Sequence, residues 1–205
     1  MEKKENTIKG QYSFCYEDRF NFEDLENRRI YLNNEIDENV IDGAVYHILR
    51  YNRLDKGIPV EERKPIILYI NSPGGNVIDG FGLVDVIRES KTPVYTVNLA
   101  FAASMGFLIF IAGHKRYSLP RAEFLLHDGA TGAIDSVLKV KDRIEFETIQ
   151  VAEMTKRYVL EQTSISEATY NEKLRVEWYL LPDEAKSIGA VDYIVGKDCS
   201  IDDII

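Results

Sequence analysis

The feature that most constrains the fold is a continuous apolar run, PIILYI at 65–70, which leads directly into the glycine turn NSPGG. A strand with one solvated face alternates apolar and polar residues, whereas a strand covered on both faces is apolar throughout. The run therefore predicts a strand in the middle of a sheet. Segments with helical periodicity lie on either side of it, one capped by Asp37 and one at 77–89. The sequence thus predicts an α/β domain with a largely parallel sheet.

The rest of the chain continues this alternation of strands and helices. Further strands are predicted at 28–36, 94–99, 116–118 and 123–127, with a turn at 102–104 and a short apolar helix that ends at Ala112. A helix at 166–174, a short helix from about Pro182 and a closing strand follow. Residues 1–27 are polar with scattered aromatic side chains, a composition that favours an arm docked on another surface.

Residues 135–162 interrupt this rhythm with one long predicted helix. Its apolar residues recur at heptad-like spacing, with Glu147 interrupting the seam: Val137, Val140, Ile144, Val151, Met154 and Tyr158. Such a stripe fits either a helix that lies on its own sheet or a projecting helix that pairs with another subunit. The periodicity leaves both structures open.

The composition excludes some classes of partner. The net charge is −9, whereas binding nucleic-acid phosphates needs clustered Lys and Arg. The longest apolar run, 107–112, is far shorter than the roughly 20 residues of a membrane span. Cys15 and Cys199 have no metal-ligand spacing and are predicted to be free thiols in a reducing compartment, with a structural disulfide as the alternative. The first residues lack the apolar segment of a secretory signal. We therefore expect a cytoplasmic protein with no nucleic-acid or membrane partner.

A serine at a predicted strand–helix junction is the first candidate for catalysis. In the segment AASMG, small residues end a strand, Ser104 follows, and a glycine permits tight packing where the helix begins. Serine catalysis needs a hydroxyl on such a sharp turn, and the start of a helix stabilises negative charge nearby. The GxSxG pattern of a nucleophile elbow is absent, however, and a serine in this position is also a common helix N-cap.

Three histidines are candidates for the general base. His47 lies within an amphipathic helix and His114 in a basic turn, where packing and solvation account for them. His127 ends the apolar strand EFLLH, at the edge of the sheet where α/β folds place active-site residues. On position alone, His127 is the best candidate.

The glycine turn at 72–75 is a second glycine-containing turn at the end of a predicted strand. Its glycines have no Cβ atoms, so backbone N–H groups can approach a ligand oxygen. A phosphate-binding loop is the rival interpretation, but the GK[ST] sequence of such loops is missing.

Together these segments resemble the proteolytic subunit of Clp proteases. YINSPGGNVIDGF is similar to that family's strand, glycine turn and first buried helix, AASMG to its nucleophile turn, LPRAEFLLH to its histidine strand, and WYLLPDEAKSIGAVDYI to its C-terminal signature. The four segments occur in the family's order with similar gaps. The resemblance covers about 28–195, the predicted peptidase domain, and leaves 1–27 as an N-terminal arm and 196–205 as a C-terminal tail.

The resemblance implies a crotonase-like, ClpP-type α/β fold in which the helix at about 135–162 projects as a handle. It implies Ser104 as nucleophile, His127 as general base, and the backbone N–H groups of Gly75 and Met105 as donors of the oxyanion hole. It also implies heptameric rings stacked into a tetradecamer that hydrolyses unfolded polypeptides inside its chamber. It implies no cofactor. ATP would be used by a separate hexameric AAA+ unfoldase, since the chain has no Walker motif.

Three departures indicate a divergent paralogue. Glu177 stands where the family has an aspartate, and is one methylene longer; a glutamate can still orient the histidine, so Glu177 is the predicted third triad residue. Val176 stands where the family has an arginine that pairs between rings. After the histidine, Asp128 and Gly129 replace a usual Gln-Pro pair.

Three functions therefore remain open from the sequence. The first is an active serine endopeptidase, favoured by the serine and the histidine. The second is a weakly active or regulatory subunit that co-assembles with an active Clp paralogue, favoured by the residues at 176 and 177. The third is a crotonase-fold enzyme acting on acyl-CoA, for which a serine–histidine pair in this arrangement is not usual.

Overall fold

A mostly parallel sheet forms the centre of the protein, which the computed structural model describes over residues 22–129 and 135–205. The strands are β1 (Arg29–Leu32), β2 (Ile66–Ser72), β3 (Val94–Ala103), β4 (Lys115–Ser118), β5 (Glu123–Leu126), β6 (Trp178–Leu180) and β7 (Tyr193–Ile194). Strands β1, β2, β3, β4 and β7 pair in that order, and all these pairs are parallel. β5 joins β3 in parallel and β6 in antiparallel orientation. The predicted α/β class with a parallel-rich sheet is confirmed.

Helices alternate with the strands much as the sequence predicts. They are α1 (Tyr46–Leu54), α2 (Val77–Glu89), α3 (Met105–Ile111), α4 (Val137–Phe146), α5 (Ala152–Gln162), α6 (Glu167–Lys173) and α7 (Pro182–Ser187). One π-helical turn, Ile41–Val45, precedes α1 and another, Glu147–Val151, joins α4 to α5; short 3₁₀ turns occupy Val60–Glu62 and Ile201–Ile204. α2 has its predicted bounds because the Asn76 side chain accepts from the N–H groups of Ile78 and Asp79 at its first turn.

β2 is buried on both faces, as its apolar run predicts. Leu68 contributes to the main core, in which every residue of α3 is buried. Tyr69 belongs to a second cluster with Val97, Tyr117 and Ile204. Full burial of a large apolar side chain stabilises the fold by about 1.5–3 kcal/mol. Contacts on both faces therefore hold β2, and with it the glycine turn at its end, in one position.

β3 is longer than predicted and divides the sheet. Its first half pairs with β4 and its second half with β5. The sequence predicts a strand at 94–99 and a turn at 102–104, but the structure keeps Ala102 and Ala103 in the strand, where both are buried. Alanine carries little strand propensity, so pairing with β5 extends the strand where the local sequence does not. The turn is therefore confined to Ser104.

β1 is shorter than the predicted strand at 28–36, because the chain leaves the sheet after Leu32. Ile36 instead forms an isolated parallel bridge with Gly75. The Ile36 N–H donates to the Gly74 carbonyl oxygen, and the Ile36 carbonyl oxygen accepts from the Asn76 N–H, each at 2.7 Å. This bridge ties the glycine turn to the segment that follows β1.

The long helix predicted at 135–162 is present, with a π-helical turn near its middle. α4 buries none of its residues, and Val137 is 84% exposed. α5 packs on the domain, where Tyr158 is buried and its hydroxyl donates to the Leu108 carbonyl oxygen at 2.9 Å. The helix thus lies on the domain at its C-terminal end only. The π turn begins at Glu147, the predicted interruption of the seam, and shifts the apolar positions of α4 relative to those of α5.

The predicted N-terminal arm is described only in part. Residues 1–21, with Cys15, lie outside the described residues. Residues 22–26 are helical, and Leu25 packs against the main core. Across 22–129 and 135–205, no helix is long and apolar enough to cross a membrane.

Candidate active site

Ser104 occupies a sharp turn between β3 and α3. Its φ of 54° and ψ of −122° form a combination that residues with a side chain seldom adopt and that costs about 1–3 kcal/mol. Its N–H donates to the Leu125 carbonyl oxygen at 2.8 Å, and its carbonyl oxygen accepts from the Phe107 N–H at 3.0 Å. Although Ser104 stands at the N-cap position of α3, its side chain makes no capping hydrogen bond. Capping therefore does not explain the serine.

The glycine turn after β2 packs directly against Ser104. A Cβ atom on Gly74, whose φ is 98°, would lie 2.6 Å from the Ser104 Cβ and 2.7 Å from the Ala103 carbonyl oxygen. On the other side of the serine, a Cβ atom on Gly106 would lie 3.1 Å from the Ser72 carbonyl oxygen. A Cβ atom at position 74 would force a shift, and one at position 106 would require the Ser72 carbonyl to give way slightly. The two glycines therefore let the two strand-end turns meet.

Two backbone N–H groups flank this contact. In the parallel bridge between Gly75 and Ile36, the hydrogen bonds to Ile36 are made by the neighbours of Gly75, which are Gly74 and Asn76. The N–H group of Gly75 itself therefore points away from Ile36. Met105 is the first residue of α3, and a helix provides no partner for its first N–H groups. A Cβ atom on Gly74 would lie 3.0 Å from the Met105 nitrogen. The turn that carries Gly75 is thus in contact with the Met105 amide, and these are the donors predicted for the oxyanion hole.

His127 lies one residue beyond the end of β5. Because Ala103 pairs with Leu125 in parallel, Ser104 and His127 leave the same edge of the sheet on neighbouring strands. The imidazole is partly exposed, but its Nε2 atom is buried and has no hydrogen-bond partner within the described ranges. A buried nitrogen without a partner is costly in a purely structural residue, and it leaves a site open for a hydroxyl proton.

The other two histidines have local explanations. His114 is exposed, and its Nδ1 accepts from the Val94 N–H at 3.1 Å. His47 lies in α1 in contact with the rings of Tyr46 and Tyr51, and burial lowers the pKa of its imidazole. Its Nδ1 is also buried without a partner among the described residues, so His47 is set aside by its position and not by its hydrogen bonding. Neither histidine belongs to the strand ends that meet at Ser104.

Glu177 immediately precedes β6. Leu126 pairs with Trp178 in the antiparallel β5–β6 ladder, so one further step of that register sets His127 opposite Glu177. The carboxylate is nevertheless bound elsewhere: Glu177 Oε2 accepts from the Tyr179 hydroxyl at 2.9 Å. In the part of the chain that the structure describes, no hydrogen bond joins Glu177 to His127. The backbones of the two residues are therefore adjacent, and their side chains are not connected.

Sequence reasoning assigned no role to two residues of this region. Tyr179 lies within the quoted segment WYLLPDEAKSIGAVDYI, and its spacing of two from Glu177 on a strand was the available signal, because residues i and i+2 share a face. The sequence predicts Gly74 only as a member of the glycine turn, whereas in the structure a Cβ atom on it would lie 2.6 Å from the Ser104 Cβ.

Within the described residues, no group of three or more His, Cys, Asp or Glu side chains could hold a metal ion. Asp128 is exposed, and its N–H donates to the Leu174 carbonyl oxygen at 3.0 Å. Cys199 is a free thiol, and partial burial raises its pKa. Val176 is exposed, so it leaves an apolar side chain at the surface beside Glu177.

A comparison with protein families completes this description. The family model for Clp protease matches residues 18–198 of the chain. The chain belongs to the Clp protease family. The predicted family is therefore confirmed, and members of the Clp protease family are serine peptidases.

Proposed function

We propose that the chain is a proteolytic subunit of an ATP-dependent Clp-type protease and acts as a serine endopeptidase on unfolded polypeptides. Ser104 is the nucleophile, His127 the general base and Glu177 the acid that orients the histidine. The observation that carries the proposal is the turn at Ser104, whose unusual backbone torsions are held by neighbouring strands while its side chain caps nothing. Strained backbone that the surrounding structure enforces is common at active sites.

The chemistry follows the general scheme of serine peptidases. His127 accepts the Ser104 hydroxyl proton as the serine oxygen attacks the peptide carbonyl carbon. The tetrahedral oxyanion accepts hydrogen bonds from the N–H groups of Gly75 and Met105, which backbone geometry holds ready before the charge develops. His127 then donates the proton to the leaving amine. A water molecule hydrolyses the acyl-enzyme by the same steps.

The exposed apolar surface of α4 is what supports the assembly included in this proposal. Val137, Leu138, Ile144 and Phe146 are exposed apolar side chains on this helix, and a monomer would leave them in water. Pairing of such helices between two heptameric rings would bury them and enclose a tetradecameric chamber. Polypeptides would reach the chamber through a separate AAA+ unfoldase, because the sequence contains no GxxxxGK[ST] motif for ATP.

A weakly active or regulatory subunit that co-assembles with an active Clp paralogue is the second candidate. The observation that favours it is that, among the described residues, no hydrogen bond joins Glu177 to His127. A histidine without its orienting acid is a poor base, since it is held in neither the correct tautomer nor the correct orientation. Partner subunits could then supply either the missing alignment or the activity itself.

Labelling with a fluorophosphonate tests the proposal. We expect the wild-type chain to be labelled, with the modified peptide containing Ser104, and to hydrolyse a model peptide. Ser104→Ala should lose labelling and about 10⁶-fold in kcat while it assembles normally; Ser136→Ala, an exposed serine on the long helix, serves as the control. Labelling at Ser104 only after mixing with an active paralogue would favour the regulatory subunit. Turnover that survives Ser104→Ala, without any paralogue present, would overturn the proposal.

A further inference from the structure

The β5–β6 ladder places two possible partners for Glu177 on the same face. Leu125 pairs with Tyr179, and Phe124 pairs with Leu180, which is buried in the main core. Side chains alternate along a strand, so Tyr179 and Glu177 both face away from that core side. One step beyond the ladder, His127 shares this face with them. The Glu177 carboxylate can therefore meet the Tyr179 hydroxyl and the His127 imidazole on a single surface.

The hydrogen bond of Tyr179 uses only one of the two carboxylate oxygens. The tyrosine hydroxyl donates to Oε2 at 2.9 Å. This bond and the negative charge of Glu177 raise the pKa of the Tyr179 hydroxyl, with smaller contributions from desolvation and from Glu123. An ionised carboxylate accepts hydrogen bonds at both oxygens. Oε1 can therefore accept from an imidazole N–H without loss of the Tyr179 bond, although the described structure contains only the Tyr179 bond.

We propose that Tyr179 is the positioning residue of the catalytic acid: its hydroxyl anchors Glu177 Oε2 and so directs Oε1 to His127. The inference rests on the proposed peptidase function. Glu177 is exposed, so water competes for its oxygens. A glutamate also has one more rotatable bond than an aspartate and loses more rotamer freedom when it is fixed. The tyrosine hydroxyl restricts this extra freedom, which allows a longer acid to serve in the triad.

The first test compares two single variants that each lose only a phenolic hydroxyl. Tyr179→Phe should lower kcat about tenfold with KM unchanged, because one hydrogen bond to a charged group is lost without a change in substrate binding. Tyr46→Phe is the matched control: Tyr46 is 53% exposed against 54% for Tyr179, and it lies in α1, away from the β5–β6 ladder. The control should retain wild-type kcat. Unchanged or raised kcat in Tyr179→Phe overturns the inference, and a rise would identify Tyr179 as a latch that holds the acid away from the histidine.

The second test asks whether Tyr179 acts through Glu177. In a Glu177→Ala background, Tyr179→Phe should have no further effect on kcat, since there is no carboxylate left to position. Losses that multiply across the two substitutions would show that Tyr179 supports the fold instead, and would contradict the inference. Titration of a ¹³C-labelled Tyr179 ring gives a measurement that does not depend on turnover. The pKa of Tyr179 should fall in Glu177→Gln, because the neighbouring negative charge is gone.

The outcomes separate this inference from the function on which it rests. If the wild type shows no turnover that depends on Ser104, both the proposed function and this inference are contradicted. Turnover that depends on Ser104 but not on Tyr179 would contradict this inference alone.

Discussion

The two ends of the proposed triad are held in different ways. Ser104 is fixed by backbone: its N–H binds Leu125, its turn contacts Gly74, and it leads into a helix that is wholly buried. Glu177 is exposed, and the described hydrogen bond of its carboxylate comes from a side chain, that of Tyr179. The nucleophile end is thus determined by the packing of the sheet, and the acid end by the rotamers of two surface side chains.

This difference indicates where the site can vary. A change at the nucleophile end must displace strands that are buried on both faces, so it costs stability as well as activity. A change at the acid end displaces only exposed side chains, so it alters the alignment of His127 at little cost to the fold. Activity could therefore be tuned, or lost, through the exposed residues Val176, Glu177 and Tyr179 while the domain stays intact.

Substitution of Glu177 is expected to give the largest loss of activity with the smallest loss of stability. Glu177→Gln keeps the shape but removes the charge that holds His127 in its catalytic tautomer and stabilises the imidazolium, so kcat should fall by as much as about 10⁴-fold. The midpoint of thermal unfolding should stay close to that of the wild type, since the side chain is exposed. Peptide hydrolysis and calorimetry on the same sample check both values. Full activity of Glu177→Gln would show that another acid, such as Asp128, takes the role or that none is needed.

The glycine turn should show the opposite behaviour. Gly74→Ala places a Cβ atom 2.6 Å from that of Ser104, which forces one of the two turns to move. Misplacement by about 1 Å can cost on the order of 10²-fold in rate, and overpacking costs about 1–3 kcal/mol of stability. Activity and the unfolding midpoint should therefore fall together.

Gly57→Ala is the matched control for this substitution. Gly57 has a φ of 96°, close to the 98° of Gly74, but a Cβ atom there would have no atom within 4 Å. It should lose stability through backbone strain alone and keep full kcat. Equal loss of activity in both glycine variants would contradict the claim that the contact with Ser104 matters.

The same distinction explains what the sequence could predict. The buried strand, the serine turn and the histidine strand are local features. Their apolar runs and small residues make Ser104 and His127 candidates, and the family resemblance then implies their roles. The extension of β3 to Ala103 depends on pairing with β5, which lies some twenty residues further along the chain. The spacing of two places Glu177 and Tyr179 on the same strand face, but the hydrogen bond between them also depends on side-chain rotamers, which the sequence does not give. Backbone-held features were therefore predictable and side-chain choices were not.

Substitutions in the exposed part of the long helix are expected to have the smallest effect on the chemical step. Ile144→Glu should split the proposed fourteen-mers into single rings and suppress turnover, because it places a charge on the apolar face proposed to pair between rings. Val151→Glu should act less strongly, since the π turn moves Val151 out of line with Ile144. With Val176 in place of the family's arginine, stacking of the wild type should resist salt, which screens charge pairs more than apolar burial.

Sedimentation velocity over a salt series checks this account of assembly. Lys141→Glu, on the same helix but at an already charged position, is the control and should leave fourteen-mers intact. Dissociation of the wild type by moderate salt, or intact fourteen-mers in both apolar-face variants, would show that the ring contact lies elsewhere.

The central claim is that Ser104 and His127 act as one catalytic unit, and a double-substitution cycle tests it most directly. Peptide hydrolysis is measured for the wild type, Ser104→Ala, His127→Ala and the combined variant. Residues that act as a unit are strongly non-additive, so each single variant should lose about 10⁶-fold in kcat and the combined variant should be no slower than either. Losses that multiply, or a His127→Ala variant close to the wild type, would contradict the account.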